Sequence, residues 1–304
     1  MLGKRVIGVD LGGTKILAGV VDREGAVDRS LEVPTPVSSQ EALLAALDDA
    51  VGRLLGDDVG ALGFGIPSTI DQRAGRAVSS VNIPLRDLNL RARMRERFGL
   101  PAAIDNDANA ATLAEWAFGA GRGVKHLIML TLGTGIGGGL ILDGRVYRGA
   151  VGAGAEIGHM VLDYEGEPCR GTCTGRGHFE ALASGRAADA SARKLLGPSA
   201  RALQLVEAAR SGDDAAAAAM AEIGRRLGTG IGSLVNVFNP EVVVLGGGFA
   251  AAADLLLGPA HEALALEALS PGRELVRIVL AELGPEAGLV GAGLVAFEAL
   301  DAAA

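Results

Sequence analysis

Two stretches of this chain are built alike, and that repetition limits the fold more than any other feature. Arg5 to Asp10 reads as a strand of β-branched and apolar residues that runs into Gly12-Gly13-Thr14. Ile16 to Asp22 resumes as a strand, and Arg23-Glu24-Gly25 supplies turn chemistry. The pattern returns later: His126 to Thr131 is an apolar strand, Leu132-Gly133-Thr134-Gly135 a glycine turn, Gly139 to Leu142 a strand, and Asp143-Gly144 a second turn. At an offset of 121 positions, Leu11-Gly12 falls on Leu132-Gly133 and Asp22 on Asp143. Two strand–turn–strand units head two halves, and halves of similar build favour a ligand held between them.

Helical spacing predicts helices over Glu41 to Leu55, with Ser39 as cap, and over Ala108 to Phe118. Leu62 to Ile66 and Ala102 to Ile104 read as short buried strands, the first ended by Pro67 and the second by Asp105-Asn106-Asp107. The second half is helix-rich: 179–196, 202–211, 215–236, 250–266 and 287–300, with a strand at 242–245 ended by Gly246-Gly247-Gly248 and a frayed tail from Asp301. Strands alternating with helices give the α/β class.

Composition excludes several functions. The chain has 304 residues, of which 49% are hydrophobic and 21% charged, enough to bury a core. Its formal charge of −8 disfavours nucleic acid and anionic membrane as partners. Two cysteines are too few for a disulfide scaffold. The N-terminal residues lack the apolar core of a signal peptide, and no uninterrupted apolar run approaches the ~20 residues that span a bilayer. A cytoplasmic protein is expected. Glycine, at 46 residues, is about twice its average share, so turns and close backbone approaches are expected.

Five motifs carry chemistry. In Asp10-Leu11-Gly12-Gly13-Thr14-Lys15 the glycines let amides converge on an anion, Thr14 adds a hydroxyl, Lys15 a positive charge, and Asp10 a carboxylate for Mg²⁺. The plainer reading is a β-hairpin with a glycine bulge. Gly133 to Gly139 contains G-x-G-x-x-G, but a strand follows it rather than a helix, which points to a phosphate clamp with Thr134 and Gly135 and away from a dinucleotide site. Gly246, Gly247 and Gly248 follow a buried strand, where a flat nucleoside can pack. In Asp105-Asn106-Asp107, Asn106 can orient a hydroxyl and Asp107 take its proton; the plainer reading is that Asp107 caps the next helix. Finally, His159, Cys169, Cys173 and His178 lie within twenty residues, and two thiolates with two imidazoles make a tetrahedral zinc set.

Together these residues resemble the ROK family of sugar kinases and repressors. The resemblance rests on D-L-G-G-T-K near the start, D-N-D-A-N-A at 105–110, L-G-T-G-I-G-G-G at 132–139 and G-A-E-I-G-H at 154–159 with the Cys/His cluster after it. It implies the actin-like ATPase (ribonuclease H-like) fold: a small unit over 1–118 plus a C-terminal helix at 290–304, a larger one over 119–289, and a cleft for sugar and ATP. It implies Asp107 as general base, with Asn82, Asn106, Glu156, His159 and Glu180, and more weakly Gly65, on the sugar hydroxyls. Gly12, Gly13, Thr14, Thr134 and Gly135 would face the ATP phosphates, and the zinc would support the sugar site.

The family's usual zinc cluster has three cysteines, with C-x-C spacing; here the spacing is C-x3-C and His178 stands where the third Cys would be. Residues 67–71 also depart from the family's Gly-Pro pattern, which bears on sugar identity. The expected activity is ATP-dependent phosphorylation of the 6-hydroxyl of glucose. N-acetylmannosamine or N-acetylglucosamine is the main alternative substrate, fructose or mannose the next, and polyphosphate an alternative donor. A repressor is disfavoured, since the first hairpin begins by Val6 and leaves no helix-turn-helix ahead of it. A homo-oligomer, dimer or tetramer, is implied.

Overall fold

The computed structural model describes residues 5–80, 82–169 and 173–304. In chain order the elements are β1 (Arg5–Leu11), β2 (Lys15–Val21), β3 (Val27–Pro34), α1 (Gln40–Leu54), β4 (Val59–Ile66), β5 (Thr69–Asp71), β6 (Arg76–Ser79), β7 (Arg86–Leu88), α2 (Leu90–Phe98), β8 (Ala102–Asn106) and α3 (Asp107–Phe118). There follow β9 (Leu127–Leu132), β10 (Ile136–Leu142), β11 (Arg145–Val146), α4 (Phe179–Ala183), α5 (Gly185–Leu196), α6 (Ala202–Arg210), α7 (Asp214–Phe238), β12 (Val242–Gly246), α8 (Ala253–Glu267), α9 (Gly272–Leu275), β13 (Arg277–Leu280) and α10 (Ala287–Ala302).

The repeat is realised as two sheets of one topology. The first runs β3-β2-β1-β4-β8 and the second β11-β10-β9-β12-β13, each with an antiparallel hairpin on one flank and parallel strands on the other. The hairpin β10–β11 turns at Asp143-Gly144 with both residues at positive φ, 52° and 71°, the backbone a two-residue hairpin demands. A third, small sheet, β5-β6-β7, has no counterpart in the second unit among the described residues.

The chain divides into two compact units, Met1–Gly123 with Gly139–Ala155 and Glu282–Ala304, and Val124–Gly138 with Glu156–Ala281. Residues 139–155, expected in the second unit, group with the first, where Gly139 leaves no room for a side chain beside Thr112 of α3. In the first unit α10 lies directly on β4: a Cβ on Gly63 would stand 2.0 Å from the Ala292 carbonyl oxygen. The helix is longer than expected, since Asp301 does not fray but pairs with Arg23.

Ser39 caps α1 by accepting from the Ala42 amide. The helix expected over 179–196 is two, parted at Ser184, whose backbone is extended. By length and composition Gly248–Glu267 is apolar enough to cross a membrane, but its helix packs along α7, where Cβ atoms on Gly224 and Gly228 would stand 2.6 and 2.1 Å from the Leu256 and Ala260 carbonyls.

Candidate active site

Three strands of the first unit end side by side. Asp10 of β1 is in register with Gly65 of β4, and Gly65 with Asp105 of β8, so two carboxylates flank one glycine at the carboxyl ends of parallel strands. Gly65 is buried, and a Cβ there would come 3.2 Å from the Ala110 Cβ and 3.7 Å from the Asp107 Cα. Its smallness admits the start of α3 against the sheet, which is how Asp107 reaches this edge.

The cap of α3 is Asn106, not Asp107. The Asn106 side-chain oxygen accepts from the Ala108 and Asn109 amides at 2.9 and 3.2 Å. Asp107 occupies the first helical position and accepts from the Ala108 amide through one oxygen at 2.9 Å. Burial pushes the Asp107 carboxyl above its ordinary value, against hydrogen bonds that favour the ion. Asp10 is raised to about 6, mainly by burial and then by the Asp107 charge, with Lys15 opposing. Both residues are half-buried.

Asp105 is wholly buried and holds the turn from behind. One oxygen accepts from the Asn106 amide at 2.8 Å and the Asn109 side chain at 3.0 Å. The other lies 2.5 Å from Arg148 Nε, and the same guanidinium bonds Glu298 of α10 at 3.0 and 2.8 Å. Burial works against the Arg148 charge, but Asp105 and Glu298 outweigh it and raise its already high value. No sequence signal marked Arg148, which lies 43 residues from its partner.

The first hairpin turn is exposed from Gly13 to Lys15 and closes with a bond from the Gly12 amide to the Lys15 carbonyl at 2.9 Å. Asn82 is exposed, and a Cβ on Gly13 would lie 3.4 Å from the Asn82 Cβ; Val81 lies outside the described residues. Lys15, expected to serve a phosphate, is tied by its ammonium to Glu32 at 2.6 Å on the neighbouring strand.

In the second unit the turn at Gly133–Gly135 borders a cavity of about 390 Å³, the size of a small-molecule site. Thr134, Gly185, Asp189, Leu203, Val206, Arg210, Gly248 and Phe249 are among its lining residues. Of the three expected glycines only Gly248 lines it. Gly246 is buried against Met129, and Gly247, at φ 82°, lies where a Cβ would stand 2.4 Å from the Leu132 carbonyl. The helical contributors Asp189 and Arg210 carried no sequence signal beyond ordinary helix pattern.

The His159, Cys169, Cys173 and His178 ligand atoms all lie within 4.8 Å of one another. The two Nδ1 atoms are 3.1 Å apart, Cys169 Sγ is 3.8 Å from His159 Nδ1, and Cys173 Sγ is 4.0 Å from His178 Nδ1. A tetrahedral zinc with bonds of ~2.0 Å to nitrogen and ~2.3 Å to sulfur needs ligand spacings of roughly 3.3–3.8 Å. The four residues fit that ion. The cysteines are not bonded to each other. His178 heads α4, and Glu180 two residues on has one oxygen 3.8 Å from Cys169 Sγ, while a Cβ on Gly135 would stand 2.3 Å from the other. Glu156 precedes the short turn 157–159 that delivers His159, and Ala155 before it holds a positive φ of 63°.

The ROK family profile matches residues 6–299. The chain belongs to the ROK family. A glucokinase from Streptomyces coelicolor is 35% identical over 311 residues, covering 96% of this chain and 97% of the relative. Among solved structures, a ROK hexokinase from Thermus thermophilus is 38% identical with a TM-score of 0.86, covering 98% and 99% of the two chains. A ROK glucokinase from Streptomyces griseus, in complex with glucose and AMPPNP, is 36% identical with a TM-score of 0.82, covering 97% and 99%. The fold of this ROK protein is accordingly that of the actin-like ATPases, an α/β architecture with a duplicated mixed sheet.

Proposed function

We propose that this ROK protein is an ATP-dependent glucokinase that transfers the terminal phosphoryl group of ATP to the 6-hydroxyl of glucose. The observation that carries the reading is Asp107, half-buried at the first position of α3 at the strand ends beside Asp10, its carboxyl raised above its ordinary value. A carboxylate of raised pKa is a better proton acceptor for an alcohol. Full-length similarity to glucokinases supports the choice of substrate.

Asp107 takes the hydroxyl proton as the oxygen attacks phosphorus. Asn106 spends its oxygen on the helix cap, and its amide group, which also donates to the Asp107 carboxylate, has an N–H to offer a sugar hydroxyl. Asn82, Glu156, His159 and Glu180 complete the sugar contacts, with Gly65 acting as a spacer. Gly12, Gly13 and Thr14, with Thr134 and Gly135, present amides and hydroxyls to the phosphates. The cavity beside Gly248 takes the nucleoside. Asp10 would hold Mg²⁺, which would neutralise charge on the transferred group. His159, Cys169, Cys173 and His178 would hold a zinc ion that would tie the turn 157–159 to α4, and the second ring nitrogen of His159 would face the sugar. The enzyme is expected to act in the cytoplasm, at the entry of glucose into glycolysis, as a homo-oligomer.

The test is ADP release with and without sugar, across glucose, mannose, fructose and the N-acetylhexosamines. Glucose should give the highest kcat/KM. Asp107→Ala should lose several orders of magnitude in kcat while glucose binding persists. Hydrolysis that ignores sugar, or a variant of near-normal turnover, refutes the reading.

A further inference from the structure

Each glycine hairpin is pinned from behind by a buried hydroxyl. In the first unit the Thr35 hydroxyl, just past β3, donates to the Gly12 carbonyl at 2.7 Å, and the Thr35 amide donates to the Thr14 carbonyl at 2.9 Å. In the second unit the Ser184 hydroxyl donates to the Thr134 carbonyl at 2.9 Å, and the Gly185 amide to the Gly133 carbonyl at 2.9 Å. Thr35 is 8% exposed and Ser184 0%. These anchors come from non-equivalent elements, a strand end in one unit and a break between two helices in the other. The internal repeat therefore does not account for them.

A trans peptide is planar, and its C=O and N–H point in opposite directions. Holding the Gly12 carbonyl inward turns the Gly13 amide outward. Holding the Gly133 and Thr134 carbonyls does the same for the amides of Thr134 and Gly135. A glycine-rich turn without such anchors samples several orientations of each peptide, and ordering it costs entropy when an anion arrives.

We propose that Thr35 and Ser184 are positioning residues that fix the peptides presenting amides to the ATP phosphates, one for each hairpin. The proposal rests on the glucokinase reading. Neither side chain touches the nucleotide; each acts through the carbonyl that it holds.

The test uses the full chain with Thr35→Val, which is isosteric, and Ser184→Ala. AMPPNP binding and glucose binding are measured separately by calorimetry, and KM for each substrate by glucose-dependent ADP release. Each substitution should raise KM for ATP and Kd for AMPPNP about 3- to 10-fold, the range for losing one neutral hydrogen bond that orders the turn. Glucose affinity should stay within about 2-fold, since the sugar-side residues are untouched. Thr35→Ser, which keeps the hydroxyl, should bind AMPPNP like the wild type. Unchanged AMPPNP affinity in both variants, equal losses for AMPPNP and glucose, or Thr35→Ser as weak as Thr35→Val each overturns the proposal. Wild-type protein that binds AMPPNP but releases no ADP with glucose sinks the glucokinase reading instead, and the binding data still decide the anchors.

Discussion

Replacing Arg148 by Met tests how the acceptor turn is held. The Asp105 carboxylate is wholly buried, with Arg148 Nε at 2.5 Å and donors from Asn106 and Asn109 at 2.8 and 3.0 Å. Removing one member of a buried pair leaves a charge without its counterion and costs about 3–5 kcal/mol. The Arg148 side chain is 24% exposed, so water reaches the vacated place and the lower end, about 3 kcal/mol, applies. The pair with Glu298, whose side chain is 48% exposed, adds no more than ~0.5 kcal/mol. At ~2–4 °C per kcal/mol, the melting temperature should fall by roughly 6–12 °C.

A second substitution, Asp105→Asn, removes the stranded charge while keeping an acceptor for the Asn106 amide. The double variant should therefore be at least about 1 kcal/mol more stable than Arg148→Met alone. Thermal and urea unfolding of the two single variants, the double variant and the wild type complete the cycle. If Arg148→Met lies within about 1 kcal/mol of wild type, or the double variant is no more stable than Arg148→Met, the buried-charge argument fails.

Two further outcomes follow from the site. Asp10 is raised to about 6 in the folded chain from an ordinary 3.8, so the stability it contributes is full below about 3.8 and is lost as pH rises through about 6. Without Mg²⁺, Asp10→Asn should thus stabilise the protein at pH 7 by on the order of 2 kcal/mol and leave it unchanged near pH 3.5; a gain that does not grow with pH contradicts the assignment. Elemental analysis should find one zinc per chain, His178→Ala should lose it, and chelation should lower the melting temperature of the wild type but not of that variant.

How far the sequence disclosed this arrangement depends on whether a feature is local. The hairpins at Gly12 and Gly133 were legible because glycine, β-branching and a repeat act over a few residues. The clustering of His159, Cys169, Cys173 and His178 was legible because three of the four lie within ten residues. Helix α2 was not, because its apolar residues Leu90, Met94 and Phe98, spaced four apart, are outnumbered by four arginines and a glutamate between them. The strands of the small sheet run three or four residues, too short for a period to show. The break at Ser184 was hidden because a contact with Thr134, fifty residues away, decides it. Arg148 and Arg210 were hidden for the same reason: a long-range ion pair leaves no mark in the spacing around either partner.

Asp107 posed two rival roles, helix cap or proton acceptor, and the structure separates them by giving the cap to Asn106. That division makes Asn106 the sharper probe of the sugar contact. Asn106→Ala removes both the capping oxygen and the amide donors, so it should cost about 1 kcal/mol of stability and also weaken glucose binding. Asn106→Ser keeps an oxygen able to cap but has no NH2 group, so stability should stay within about 0.5 kcal/mol of wild type. If the Asn106 amide donates to a sugar hydroxyl, the Ser variant must still bind glucose about 10-fold more weakly. Calorimetric titration with glucose beside a thermal melt reads both quantities on one sample. A Ser variant that matches wild type in both would confine Asn106 to the cap and leave Asp107 to orient the alcohol unaided.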